Sequence, residues 1–209
     1  MKKFVDRFSR AKARKSVPAA TWHNGGDIEI DLYTRSLQRA ASTVVAKLAV
    51  DEKMRNDWDV GPIVLLYRQA LELRLKAVVG EGSNFLKSPT DPISLYQTHS
   101  LRWLAQIVSQ IIKRVGWETD FICEGVPDLK EFSALVSKIE SLDPVTRAVH
   151  AGTRDRRGLH LRETFDFVQF AKQMDGLLDL LNATADALAA TWDQQMETVN
   201  EIGAKPTIH

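Results

Sequence analysis

The stretch Leu65-Leu66-Tyr67-Arg68-Gln69-Ala70-Leu71-Glu72-Leu73-Arg74-Leu75-Lys76-Ala77-Val78-Val79 decides the fold class. At about 100° per residue, Leu66, Tyr67, Ala70, Leu71, Leu73, Leu75, Ala77 and Val78 spread over roughly 200° of a helix surface. A helix this apolar has to be covered on most of its sides by other elements. Arg68, Glu72 and Lys76 fall at i, i+4 and i+8 and form one charged stripe, while Arg74 projects from the apolar side. Gly61-Pro62 opens the helix, because a proline in the first turn gives up an N–H that has no helical partner there. Gly80 reads as its stop, with a loop over 81–92.

The chain stays helical in both directions from this stretch. Residues 31–50 carry Leu37, Ala40, Ala41, Val44, Val45 and Leu48 on one face. Ile28, Ile30 and Leu32 alternate with acids and read as a short extended segment or a lead-in. The charged residues 51–60 read as a connection. Toward the C-terminus a helix is expected over 99–115, capped by Thr98 and closed by Gly116. Another spans 128–142 and ends before Asp143-Pro144, since proline disfavours helix in the residue preceding it. The last runs over 161–201, with Phe165, Val168, Leu177, Leu178, Leu181, Leu188 and Trp192 at helical spacings. That length is far above the mean of about 11–12 residues, so a break near Gly176 or an overhanging tail is expected. No long alternation argues for a sheet. The reading is all-α: an antiparallel bundle of four to five helices with a long C-terminal helix. The short 81–98 connection implies that the helices on either side of it are antiparallel neighbours.

Composition sets the limits. The chain has 209 residues, 26% charged and 44% hydrophobic, which is ordinary for a water-soluble domain with its own core. No apolar run is long enough to span a bilayer and no signal segment is visible, so a cytoplasmic protein with no membrane association is expected. The lone Cys123 excludes a disulfide framework and a multi-cysteine zinc site. Residues 1–15 hold seven basic side chains and one acid, against a formal net charge of +1 for the whole chain. The body is therefore mildly acidic. Such an arm serves nucleic acid, an acidic partner or the body itself, or is simply solvated. The organisation is a basic N-terminal arm over 1–26, a helical bundle over 27–201 and a tail over 202–209.

The common catalytic signatures are absent: no phosphate-binding glycine loop, no dinucleotide fingerprint, no zinc-protease helix and no nucleophile elbow. The histidines His23, His99, His150, His160 and His209 are scattered, which argues against a metal site, and no cofactor is implied. Two readings stand for the stripe. It is a solvated row of i,i+4 pairs worth about 0.2–0.5 kcal/mol each, or it joins His99 in a polar cluster of Arg68, Glu72, Lys76 and His99. Placed in a first helical turn, His99 is held toward its neutral form by the helix dipole. Arg74 reads as snorkelling at the bundle edge. Trp103, Trp117 and Trp192 read as core or interface anchors rather than stacking platforms.

The order of these features carries a resemblance. A helix with Tyr67, Arg68, Leu71, Glu72, Leu73, Leu75 and Lys76, then a loop, then His99 and Leu101 opening the next helix, resembles the bacterial branch of the HEPN superfamily of helical bundles. The fourth helix ending in Ile139-Glu140-Ser141-Leu142-Asp143-Pro144 is similar to that group as well. The likeness spans roughly 60–190. This chain departs from it after Asp143-Pro144, where Val149-His150-Ala151-Gly152 replaces an aromatic, arginine-bearing stretch. The resemblance implies a metal-independent endoribonuclease or RNA-binding protein, of the kind found in bacterial defence and toxin systems. It implies an arginine followed after four to six residues by a histidine near the start of the last helix. Arg154 and His160 match that pattern, although Gly158 between them departs from its helical setting. Arg154 would neutralise phosphate, His160 would act as acid or base, and Arg156 and Arg157 would hold RNA nearby. It also implies a homodimer, and the overlong last helix, with apolar surface left to bury, puts the expected seam around Leu177 to Trp192. The alternatives are a non-catalytic module that dimerises or holds a protein partner, and a nucleotide or small-ligand pocket lined by Arg68, Glu72, Lys76 and His99.

Overall fold

The computed structural model describes residues 26–50, 60–86, 92–142 and 166–203. They form α1 (Gly26–Val50), α2 (Val60–Gly82), a 3-10 turn (Ser83–Phe85), α3 (Pro92–Gln97), α4 (Leu101–Val115), α5 (Leu129–Ser141) and α6 (Phe167–Gly203). No strand occurs among the described residues, so the all-α bundle stands. None of their helices is long and apolar enough to cross a membrane.

The central element is α2. Ile63, Val64, Tyr67, Ala70, Leu71, Leu75, Val78 and Val79 are all buried along it, and α1, α4 and α6 pack around it. The amphipathic α4 buries Leu101, Leu104, Ala105, Val108, Ile111 and Ile112 at i, i+3, i+4 spacing. Phe132, Leu135, Val136 and Ile139 do the same for α5, and Phe132 meets Phe121 edge to face at 5.2 Å.

Inter-helix contacts fix the directions. Asp31 and Ser42 of α1 meet Arg74 and Tyr67 of α2, respectively, so those two helices are antiparallel. The late residue Glu140 of α5 meets Ser100 and Arg102 at the start of α4, which is also an antiparallel pairing. The expectation for 81–98 does not hold. Glu72 meets His99 while Gly82 faces Ile111, so α2 and α4 run parallel. The connection containing α3 carries the chain back along the bundle before α4 begins. Similarly, Tyr67 meets Phe170 and Phe85 meets Trp192, so α2 and α6 run parallel.

Several boundaries move. Ile28, Ile30 and Leu32 lie inside α1 rather than in an extended lead-in. Gly80 does not stop α2, which continues to Gly82 and tightens into the 3-10 turn. The cap of α4 is Ser100, whose hydroxyl accepts from the Trp103 N–H, and not Thr98. Gly116 closes that helix in the left-handed region at φ 73°, as the sequence requires. Asp128 caps α5 by accepting from the Glu131 N–H. Asp166 accepts from the N–H groups of Val168 and Gln169 at the start of α6, which then runs unbroken through Gly176. Leu177, Leu178, Leu181 and Leu188 are buried within this same chain, so these leucines of the expected dimer seam are already covered, while Trp192 is half-buried.

The two glycines at the end of α2 differ in a testable way. A Cβ at Gly80 meets nothing within 4 Å, whereas one at Gly82 falls 2.6 Å from Ile111 Cγ2 and 2.7 Å from its Cδ1. Gly80→Ala therefore stabilises by about 0.4–1 kcal/mol. Gly82→Ala overpacks a buried β-branched side chain and costs about 1–3 kcal/mol. Urea unfolding of the two variants checks the opposite signs.

Candidate functional site

The polar cluster is built on one helix stripe. Arg68, Glu72 and Lys76 stand one turn apart on α2, and the stripe is not solvated: the Glu72 and Lys76 side chains are only 3% and 7% exposed. Glu72 Oε1 accepts from Lys76 Nζ at 2.8 Å and lies 2.9 Å from His99 Nδ1. Lys76 also donates to the Tyr96 carbonyl of α3 at 3.2 Å. Arg68 Nη1 stands 4.0 Å from Glu72 Oε2, the outer limit of an ion pair. Its guanidinium is thus only loosely committed to the carboxylate.

Electrostatics follow from this packing. Burial alone would raise the Glu72 carboxyl. The Lys76 ammonium and the His99 ring bonded to it outweigh that, and hold it below its ordinary value. An ionised Glu72 accepts only, so it selects the His99 tautomer that donates from Nδ1. The imidazole is 73% exposed and sits ahead of the Ser100 cap. The helix-dipole argument for a first-turn histidine is therefore replaced by direct anchoring to Glu72. With Nδ1 occupied, Nε2 is the nitrogen that can exchange a proton with a bound molecule. One carboxylate against Arg68 and Lys76 leaves the site net positive.

Of the residues singled out from the sequence, Arg68, Glu72, Lys76 and His99 come together. Arg154, Arg156, Arg157 and His160 lie outside the described residues, as do residues 1–25 of the arm. Among the described residues no group of three His, Cys, Asp or Glu side chains is placed to hold a metal ion.

The structure also gathers polar groups that no spacing revealed. Arg74 does not snorkel: it is 5% exposed and donates to Asp31 at 2.6 Å. Buried Tyr67 lies 3.2 Å from Ser42 Oγ and donates to Asp175 at 3.1 Å, and Gln38 donates to the same carboxylate at 3.0 Å. Burial, with Asp175 beside it, pushes the Tyr67 hydroxyl up to about 12, so it stays protonated and structural. These partners lie on α1 and α6, far from α2 in sequence, and no local pattern could have found them. Ser100 was legible, being a serine directly before an apolar helical period.

In comparisons with protein-family models, with curated proteins and with solved structures, nothing matches this chain.

Proposed function

We propose that this chain is an HEPN-like helical-bundle protein that binds and cleaves RNA without a metal ion, as a component of a bacterial defence or toxin system. The observation that carries the reading is the exposed imidazole of His99, fixed through Nδ1 on a buried, ionised Glu72 beside Arg68. Nε2 takes the proton of a ribose 2′-hydroxyl as the 2′-oxygen attacks phosphorus. The bond from phosphorus to the 5′-oxygen breaks, and that oxygen leaves with a proton. Arg68 offsets charge on the non-bridging oxygens, and the products carry 2′,3′-cyclic phosphate and 5′-hydroxyl ends. Arg154 and His160, the pair implied by the HEPN resemblance, would contribute the second acid–base group, with Arg156 and Arg157 holding the backbone.

The test uses purified protein and structured RNA in EDTA. Wild type is expected to give cyclic phosphate ends, and His99→Ala to lose about 10²–10⁴ in rate. Full activity in His99→Ala together with loss in His160→Ala would remove His99 from the chemistry. Absence of cleavage by wild type would favour a second reading, an interaction module. Its supporting observation is the adjacent pair Leu32 and Tyr33, large apolar side chains standing exposed on α1. In that case light scattering is expected to report a homodimer or a complex with a protein partner.

A further inference from the structure

At the end of the bundle away from His99, an open groove of about 470 Å³ lies between the 3-10 turn, the end of α4 and the later half of α6. That volume falls within the range of about 300–1,000 Å³ usual for small-molecule sites. Its walls carry three aromatic rings, Phe85, Trp117 and Trp192, with Arg114, Asn84 and Gln195 among them, and no lining residue is acidic. Both indoles are half-buried, and Trp117 packs against the core as the anchor expected from sequence.

Four features bear on the ligand. Phe85 and Trp192 meet nearly perpendicular, with centroids 5.6 Å apart and planes at 79°. Whichever ring supplies the edge, Phe85 leaves at least one face of the indole uncovered. Arg114 is exposed and spends Nε on the Phe85 carbonyl at 3.3 Å. Its terminal nitrogens have no acidic partner among the described residues and remain for an anion. Two of the carbonyls at the end of α4, which would repel an anion, are already taken: Gly116 and Trp117 donate to Lys113 and Ile112. Asn84 and Gln195 each offer a donor and an acceptor of the kind that pairs with a base edge.

We propose that this groove is a nucleotide subsite, with a base stacked on Trp192 and its phosphate on Arg114. A planar, aromatic, hydrogen-bonding group joined to an anion fits all these features together, whereas an aliphatic or cationic ligand uses few of them. The source is a free mononucleotide or an unpaired residue of an RNA chain. In the second case the inference rests on the RNA reading above, and the groove would grip single strand while His99 acts elsewhere on the body.

The experiment titrates three probes while following tryptophan fluorescence and the anisotropy of end-labelled RNA: adenosine 5′-monophosphate, an eight-nucleotide single strand, and a blunt RNA duplex of the same sequence. Wild type, Trp192→Ala and Arg114→Gln are compared, with circular dichroism confirming the helix content of each. Arg114 is exposed, so its variant folds even if loss of the indole perturbs the bundle. Single strand is expected to bind more tightly than duplex, Trp192→Ala to weaken it about 5- to 150-fold, the range for loss of one stacked base, and Arg114→Gln to weaken it as well. Saturable quenching by the mononucleotide that Arg114→Gln weakens, without RNA binding, keeps the groove as a free-nucleotide site and removes the RNA reading. RNA cleavage with wild-type affinity in both variants overturns the groove and leaves the ribonuclease reading standing. Absence of quenching and of binding by every probe overturns both.

Discussion

Glu72→Gln is expected to cost about 3–5 kcal/mol, because it strands the buried Lys76 ammonium without its counter-charge. For a chain of this size that corresponds to a fall in melting temperature of roughly 6–20 °C. Glu118→Gln on the exposed loop after α4 changes stability by less than about 0.5 kcal/mol. Adding Lys76→Met to Glu72→Gln removes the stranded charge and restores much of the loss, which no solvated stripe would show. Acid sensitivity gives an independent check. The folded-state Glu72 carboxyl lies below its ordinary 4.5, since Lys76 and His99 outweigh the upward push of burial. Its contribution is therefore complete above 4.5 and is lost as pH falls through the depressed folded value. Urea unfolding across that interval should show a shallower acid slope for Glu72→Gln than for wild type. Identical slopes would remove Glu72 from the account.

Asp31→Ala is expected to be nearly as damaging, at about 2–4 kcal/mol. Arg74 is buried, its Nε already lacks a hydrogen-bond partner, and Asp31 is its ion-pair partner among the described residues. The lower bound reflects the carboxylate's own partial exposure, where water screens the pair. Truncating the other partner behaves differently. Arg74→Met leaves Asp31 free to hydrate and to keep Arg35 at 2.8 Å, so it costs less than Asp31→Ala. The double variant should match Arg74→Met rather than the sum of the two. Additive losses in a double-mutant cycle would mean that the pair is not coupled. Asp31 has the same acid dependence as Glu72: burial raises it, but Arg74 and Arg35 outweigh that and hold it below 3.8. Its share is lost only as pH falls below that value.

Helix positions were largely legible because apolar periodicity is a local property. Leu101, Leu104, Ala105, Val108, Ile111 and Ile112 announce the buried face of α4, and Gly116 announces its end. Helix boundaries were less so, since tertiary contact can override a breaker. Gly80 stays helical, and Gly82, the last residue of α2, lies against Ile111 of α4. Helix direction was not legible at all. Whether α2 and α4 run parallel depends on the six residues of α3, too short a helix to leave a periodic signature. In the site, the i,i+4 spacing showed that Arg68, Glu72 and Lys76 share a stripe. It could not show that α3 and the segment before α4 cover that stripe. Burial turns an ordinary surface pattern into a fixed imidazole, and burial comes from parts of the chain that the spacing does not describe.

The parallel pairing of α2 with α6 has a consequence for the nascent chain. Tyr67 completes its surroundings with Phe170 and with Asp175, which lies 108 residues later. At about 5–20 residues per second, a ribosome needs on the order of 5–20 s to deliver them. For that interval the most apolar segment of the protein has emerged without its final cover. Ribosome-bound chains ending before residue 166 should therefore recruit chaperones and yield readily to protease, and chains extended past Leu188 should lose both traits together.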